Sequence, residues 1–256
     1  MPKKKTTQKS FKQQTQKVKN YIKQNRKQSI AVLVLTFVVS SLTLAPLLGN
    51  VSAAPTSLPS PNNAVETEYG SIGKWMIQPN GEVADYGGQK YQGKTLLEAI
   101  NVVIVDPTST SASASKTKVN KAMSSADFPS RFGHSTGFKG LIDGTLYKQQ
   151  PTNFLSAYSD DSFMTQNNHG RLFGPASMSG GGYVYSGGFS TEKFAIYNWF
   201  PAHVYVSSNM ARDALVAQIV ASGQTQSADI DMDNAYNTTS TTVGDHDGKA
   251  AVVVLK

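Results

Sequence analysis

Apolar residues fall into three patterns along the chain. A long run broken only by Thr36 occurs at Ile30–Val39, and unbroken runs at Val102-Val103-Ile104-Val105 and at Ala250–Leu255. Residues 116–126 and 210–221 instead repeat at helical spacing, with Val119, Ala122 and Met123 on one face, and Ala211, Leu215, Gln218 and Ile219 on the other helix's face. Alternation marks Phe138–Tyr147 around the turn pair Asp143-Gly144, and His169–Phe173. The two later unbroken runs predict strands buried on both faces. Tyr183–Phe189 and His203–Val206 complete the expected strands, and Gly73–Ile77 the first of them.

These elements predict one α+β or α/β domain, a mixed sheet with two main helices packed on it. Residues 108–115 read as a low-complexity loop, and Thr95-Leu96-Leu97-Glu98 as a capping box opening a brief helix. Ser207-Ser208-Asn209 supplies cap oxygens for the second main helix, which Gly223 stops.

The first apolar run belongs to a different class. It follows a basic stretch and precedes Pro46 and the small residues of Val51-Ser52-Ala53, as in a cleavable export signal. Its length also approaches the ~20 residues that span a bilayer. Residues 1–53 are therefore expected to be a signal peptide or an N-terminal membrane anchor with a basic tail. Both readings place the rest outside the cytoplasm, secreted or membrane-anchored, with the membrane as a partner only if the segment is uncleaved. Residues 54–70, rich in Pro, Ser and Asn, read as a flexible linker, and 71–256 as the globular domain.

Charge changes the picture once it is divided. The chain of 256 residues carries formal net charge +7, but ten of its 24 basic residues lie within 1–28, where there is no acid. The remainder has 14 basic residues against 17 acidic ones, so the charge is no sign of a nucleic-acid partner. Zero cysteines exclude disulfides, thiolate metal sites and a cysteine nucleophile, and fit a bacterial cell surface.

Candidate chemistry concentrates at Asn167–Pro175. His169 and Arg171 alternate along a strand, so both face one side, with Gly170 and Leu172 on the other. Such a pair suits an anionic phosphate or carboxylate, or else a polar cluster in which Arg171 pairs with Asp160 or Asp161. His134 lies in Gly133-His134-Ser135-Thr136-Gly137, a G-x-S-x-G match whose following glycines disfavour the helix a nucleophile elbow needs. His169, Arg171 and His134 are the catalytic candidates, and Asn168, Tyr185 and His203 the ligand-binding ones. Tyr183, Tyr185, Phe189, Tyr197, Trp199 and Phe200 form either an aromatic platform or ordinary core. Asp229–Asn234 begins like a calcium loop but lacks its glycine and glutamate, and Asp245–Gly248 reads as a turn. The four histidines show no close ligand spacing, so no metal or cofactor is expected.

The order of four motifs resembles the LssY C-terminal domain family over roughly residues 100–225. These are Asn101–Val105 before a helix, Leu146-Tyr147, Asn168–Phe173 with Tyr183–Phe189, and His203–Val206 with Ala211-Arg212-Asp213. Ala202-His203 and Ser207-Ser208-Asn209 stand where the family has paired histidines and acidic residues. The resemblance implies an extracytoplasmic domain and supplies no reaction. The expected function is an exported or cell-surface binding or structural module, or alternatively an extracytoplasmic phosphoester or ester hydrolase using the His/Arg site. N-terminal sequencing of the exported chain distinguishes the two readings of the leader. Processing gives a start at Ala54 or Pro55, whereas an anchor gives an intact N-terminus in the membrane fraction.

Overall fold

The run of residues 102–105 has no polar face to offer water, and its strand has neighbours on both sides. The computed structural model describes residues 58–197 and 200–256. In chain order its strands are β1 (Ala64–Thr67), β2 (Gly70–Gly73), β3 (Lys90–Tyr91), β4 (Lys94–Leu96), β5 (Val102–Asp106), β6 (Ser130–Phe132), β7 (Lys139–Ile142) and β8 (Thr145–Gln150). There follow β9 (Ser156–Ser159), β10 (Asn167–Ser177), β11 (Tyr183–Tyr197), β12 (Phe200–Ser207), β13 (Thr225–Gln226), β14 (Ile230–Asp231), β15 (Thr241–Thr242) and β16 (Lys249–Val254). Helix α1 (Ala112–Ser125) lies between β5 and β6, and α2 (Ser208–Ala221) between β12 and β13.

The main sheet runs β1-β2-β7-β8-β10-β11-β5-β16-β13, and β15-β4-β3 form a small second sheet. In the main sheet β16 is parallel to β5, while β10, β11 and β12 pair antiparallel. The sheet is thus mixed, with two helices against it, an α+β arrangement. Side chains alternate across β5. Val102 and Ile104 pack with Val119, Met123, Leu215 and Ile219 of the helices, while Val103 and Val105 join Ile72, Ile142 and Phe173 on the opposite face.

β10 and β11 hold the centre, with His169 opposite Ser190 and Arg171 opposite Gly188. The far edge of β11 then changes partner. Residues 183–187 pair with β5, and 191–197 pair with β12. Between the two, Phe189 has no strand on that side. The buried Asn101 side chain takes its place, accepting from the Phe189 amide at 2.9 Å and donating to the Phe189 carbonyl at 2.9 Å. Its amide also reaches the Ser208 carbonyl at 3.3 Å, tying the fork to the start of α2.

The hairpin expected around Asp143-Gly144 is β7–β8, both turn residues having positive φ, 48° and 71°. Other boundaries differ. α1 starts four residues earlier than the periodicity predicts, inside the stretch read as a loop, because Ser111 caps it by accepting from the Ala114 amide at 3.2 Å. Ser115 is then buried in the core, where it takes the Tyr185 hydroxyl at 3.1 Å. Thr95–Glu98 opens no helix. Strand β4 pairs with β3 through Lys94 and Thr95 and with β15 through Thr95 and Leu96, which outweighs the capping-box spacing. On α2, Val216 is buried and Gln218 is exposed. β1 and β2 form a hairpin, and β1 lies inside the stretch read as a linker. Of residues 73–77, expected as the first strand, Gly73 ends β2 and the rest make only isolated bridges. Among the described residues no helix is long and apolar enough to cross a membrane, and the leader lies outside them.

Replacing Asn101 with Leu leaves the Phe189 amide and carbonyl buried without partners. The expected cost is about 2–4 kcal/mol, measured by urea unfolding.

Candidate functional site

The site is built by alternation on three adjacent strands. In an antiparallel pair, directly opposed residues point to the same face. Asn167 opposes Glu192, His169 opposes Ser190, and Tyr205 opposes Glu192 from the other side. Asn167, His169 and Arg171 of β10, Ser190 and Glu192 of β11, and His203 of β12 therefore share one face, away from the helices. Gly170 and Leu172 turn to the helix side. Gly170 is required there, since a Cβ would stand 2.4 Å from the Gly188 carbonyl oxygen and the Phe189 ring.

His134 comes from the loop after β6 and closes over this face. Its amide and that of Gly133 both donate to the Leu155 carbonyl, at 3.0 and 2.9 Å. Gly133 has φ +110°, and a Cβ would strike the Phe163 ring at 2.6 Å, so glycine alone lets the loop reach this position. The rings of His134 and His169 lie 4.3 Å apart, and His203 stands 5.7 Å and 5.6 Å from them. One ring nitrogen from each lies within 4.8 Å of the others, and among the described residues these three form the group able to hold a metal ion. The dispersed histidines of the sequence are thus gathered by tertiary structure.

Polar neighbours fix the rings. Asn167 donates its amide to the Ser162 and Thr165 carbonyls at 2.9 and 3.2 Å, which turns its Oδ1 toward His169 Nδ1 at 2.7 Å. That oxygen only accepts, so Nδ1 carries the proton and Nε2 presents a lone pair. His203 Nε2 donates to the Phe163 carbonyl. The remaining nitrogens of both rings face one carboxylate. His169 Nε2 is 3.4 Å from Glu192 Oε1, and His203 Nδ1 is 3.5 Å from Oε2. Ser190 donates to Oε1 at 2.9 Å. His134 Nε2 is buried with no hydrogen-bond partner.

Burial, with His169, Arg171 and His203 adding repulsion, holds His134 far below the ordinary histidine range. Burial likewise lowers His169 to about 4 despite Glu192. His203 is raised, because its pairing with Glu192 and its bond to Phe163 outweigh burial. Burial pushes Glu192 up, but the neighbouring imidazoles and Ser190 outweigh this and hold it at about 2. Two neutral imidazoles and an ionised carboxylate therefore meet at neutral pH.

Arg171 is buried on the same face, yet it pairs with neither Asp160 nor Asp161. Its Nε and Nη2 donate to the Ser135 carbonyl at 3.2 and 2.8 Å, Nη2 also reaches Ser135 Oγ at 3.1 Å, and the guanidinium lies 4.6 Å over the Phe138 ring. It thus pins the loop that carries His134. No helix follows Ser135, so the nucleophile elbow is absent here. Of the other candidates, His203 joins the site and two do not. Asn168 turns to the opposite face, donating to Asp160 at 2.6 Å and accepting from Thr191 at 2.5 Å. Tyr185 is core, bonded to Ser115. Phe189 is core as well, and the side chains of Tyr197, Trp199 and Phe200 lie outside those described. The acids of 229–234 do not gather: Asp233 pairs with Lys74 at 2.7 Å.

Sequence reasoning missed Glu192, Asn167 and Glu98. The signal for the first was a polar run, Ser190-Thr191-Glu192-Lys193, in the middle of a strand that begins and ends with apolar and aromatic residues. Glu98 is 8 % exposed and receives the Tyr86 amide. Burial raises it to about 7; Glu192 adds to the rise and Arg171 opposes it. No family model matches the chain, and no curated protein or solved structure matches it.

A carboxyl whose folded value exceeds its unfolded one holds its proton more tightly in the native state. The stability Glu98 contributes is therefore complete below about 4.5 and lost as pH rises through about 7. Glu98→Gln should stabilise the protein at pH 8 by roughly 2–3 kcal/mol, with the gain gone by about pH 4, as read from urea unfolding across that range.

Proposed function

We propose that the chain is an exported or cell-surface binding module, of the LssY C-terminal kind that its motif order resembles. Its ligand site is the face made by His134, His169, His203 and Glu192. One observation carries this reading: three imidazoles from separate parts of the chain converge on a buried carboxylate. A fold gains nothing from that arrangement alone, since burying polar groups without strong partners costs stability. Glu192 makes no hydrogen bond to either facing histidine at strong charge-assisted distance, and His134 Nε2 has no partner.

The alternative, a phosphoester or ester hydrolase, finds less support. Arg171 spends two of its nitrogens on Ser135, so it offers no free fork to a phosphate. Ser135 accepts from that arginine and sits on a loop between strands, without the turn into a helix that exposes a nucleophile.

The test uses the full chain stripped by a chelator. Thermal unfolding is followed with transition-metal ions, inorganic phosphate and small carboxylates, beside generic phosphatase and esterase assays. One ligand class should raise the Tm of the wild type and leave His134→Ala and His203→Ala unmoved. Turnover abolished by His169→Ala would replace this reading with the hydrolase. No shift from any class would refute the binding site.

A further inference from the structure

The donor geometry identifies the ligand. We infer that His134, His169 and His203 form a three-imidazole site for a divalent transition-metal ion of the zinc type, with Glu192 beside two of them to take the fourth position. This rests on the ligand-site reading above and names the chemistry of its occupant.

The distances come first. Donors bound at about 2.0–2.1 Å to a tetrahedral ion stand about 3.3–3.4 Å from one another. His169 Nε2 and Glu192 Oε1 are 3.4 Å apart, and His203 Nδ1 and Glu192 Oε2 are 3.5 Å apart. A charge-assisted N–H···O bond would be about 2.7–2.9 Å. These separations, one to each carboxylate oxygen, are long for such bonds and near the spacing of neighbouring ligands; the three histidine nitrogens lie within 4.8 Å of one another and would draw together around an ion.

Proton placement points the same way. The Asn167 Oδ1 and Phe163 carbonyl oxygens only accept, so they fix N–H groups on His169 Nδ1 and His203 Nε2. With its proton on Nδ1, His169 aims the Nε2 lone pair at a carboxylate. Lone pair against carboxylate is repulsive unless a cation lies between. A buried His134 nitrogen without a partner completes the set. Asn167 and the Phe163 carbonyl then act as the outer contacts that orient metal-bound imidazoles, and Ser190 does the same for Glu192.

The donor set selects the ion. Three imidazoles and one carboxylate offer too few oxygens for magnesium or calcium, and no thiolate for copper(I). Supplying all four ligands from the chain leaves no open position for water, the arrangement of a structural or sequestering site. That agrees with a binding module.

The experiment is titration of the chelator-stripped full chain with Zn²⁺ and Co²⁺. One ion per chain should bind, Co²⁺ with the visible absorption of a tetrahedral site, and neither Mg²⁺ nor Ca²⁺ should compete. Glu192→Gln and His134→Ala should weaken Zn²⁺ binding by at least about 100-fold, and Asn167→Ala by about 10–100-fold. X-ray absorption of the zinc-loaded wild type should show three imidazoles and one carboxylate oxygen, whatever the variants' folding. A zinc shell lacking imidazoles, or affinity unchanged in both Glu192→Gln and His134→Ala, would overturn the inference. So would absence of binding by the wild type. If phosphate or a carboxylate instead stabilises the wild type through His134, the binding site stands and the metal assignment alone falls.

Discussion

The register of β10 against β11 is the constraint on which the rest of the molecule depends. With His169 opposite Ser190, Asn167, His169, Arg171, Ser190 and Glu192 fall on one face, and Gly170, Leu172 and Phe189 on the other. A one-residue slip of β10 would send His169 and Arg171 toward the helices and Leu172 toward Glu192 and His203. Both hydrophobic clusters and the candidate site are thus fixed by one pairing. Close contact reinforces it at Gly170, where a side chain would collide with the Gly188 carbonyl.

Around that pair the sheet must divide, because β11 outlasts its first partner. Asn101 solves a local problem of hydrogen bonding by offering one donor and one acceptor where a strand would have been. The fork also lets β12 approach the far half of β11, and β12 carries His203. A buried amide in the core thereby contributes to the site without touching it.

The site concentrates charge where the interior disfavours it. Arg171 lies close to Glu98 and Glu192, and burial opposes the charged form of all three. Glu192 remains ionised because imidazoles and Ser190 face it, while Glu98 has only a shared guanidinium and an amide, and its proton is held to about 7. Arg171 meanwhile spends its donors on the Ser135 carbonyl. It works as the anchor of the His134 loop, a role distinct from the anion grip its residue type suggests.

Much of the scaffold was legible from residue order. The β-branched run 102–105, the apolar run of the last strand, the Asp143-Gly144 hairpin and helix α2 follow from local rules of periodicity and turn chemistry. So does the shared face of His169 and Arg171, since alternation is a property of one strand. Whether Thr95–Glu98 is helical was decided by a neighbour, strand β15 for β4, while α1 begins where its local Ser111 cap places it. Only the tertiary structure could gather His134, His169 and His203, which stand 35 and 34 positions apart and come from a loop and two strands. Ligand spacing in a sequence is visible when one turn or helix carries the ligands. Here the pairing of β10, β11 and β12 carries them, and pairing between distant strands is set by packing and register that no single stretch encodes.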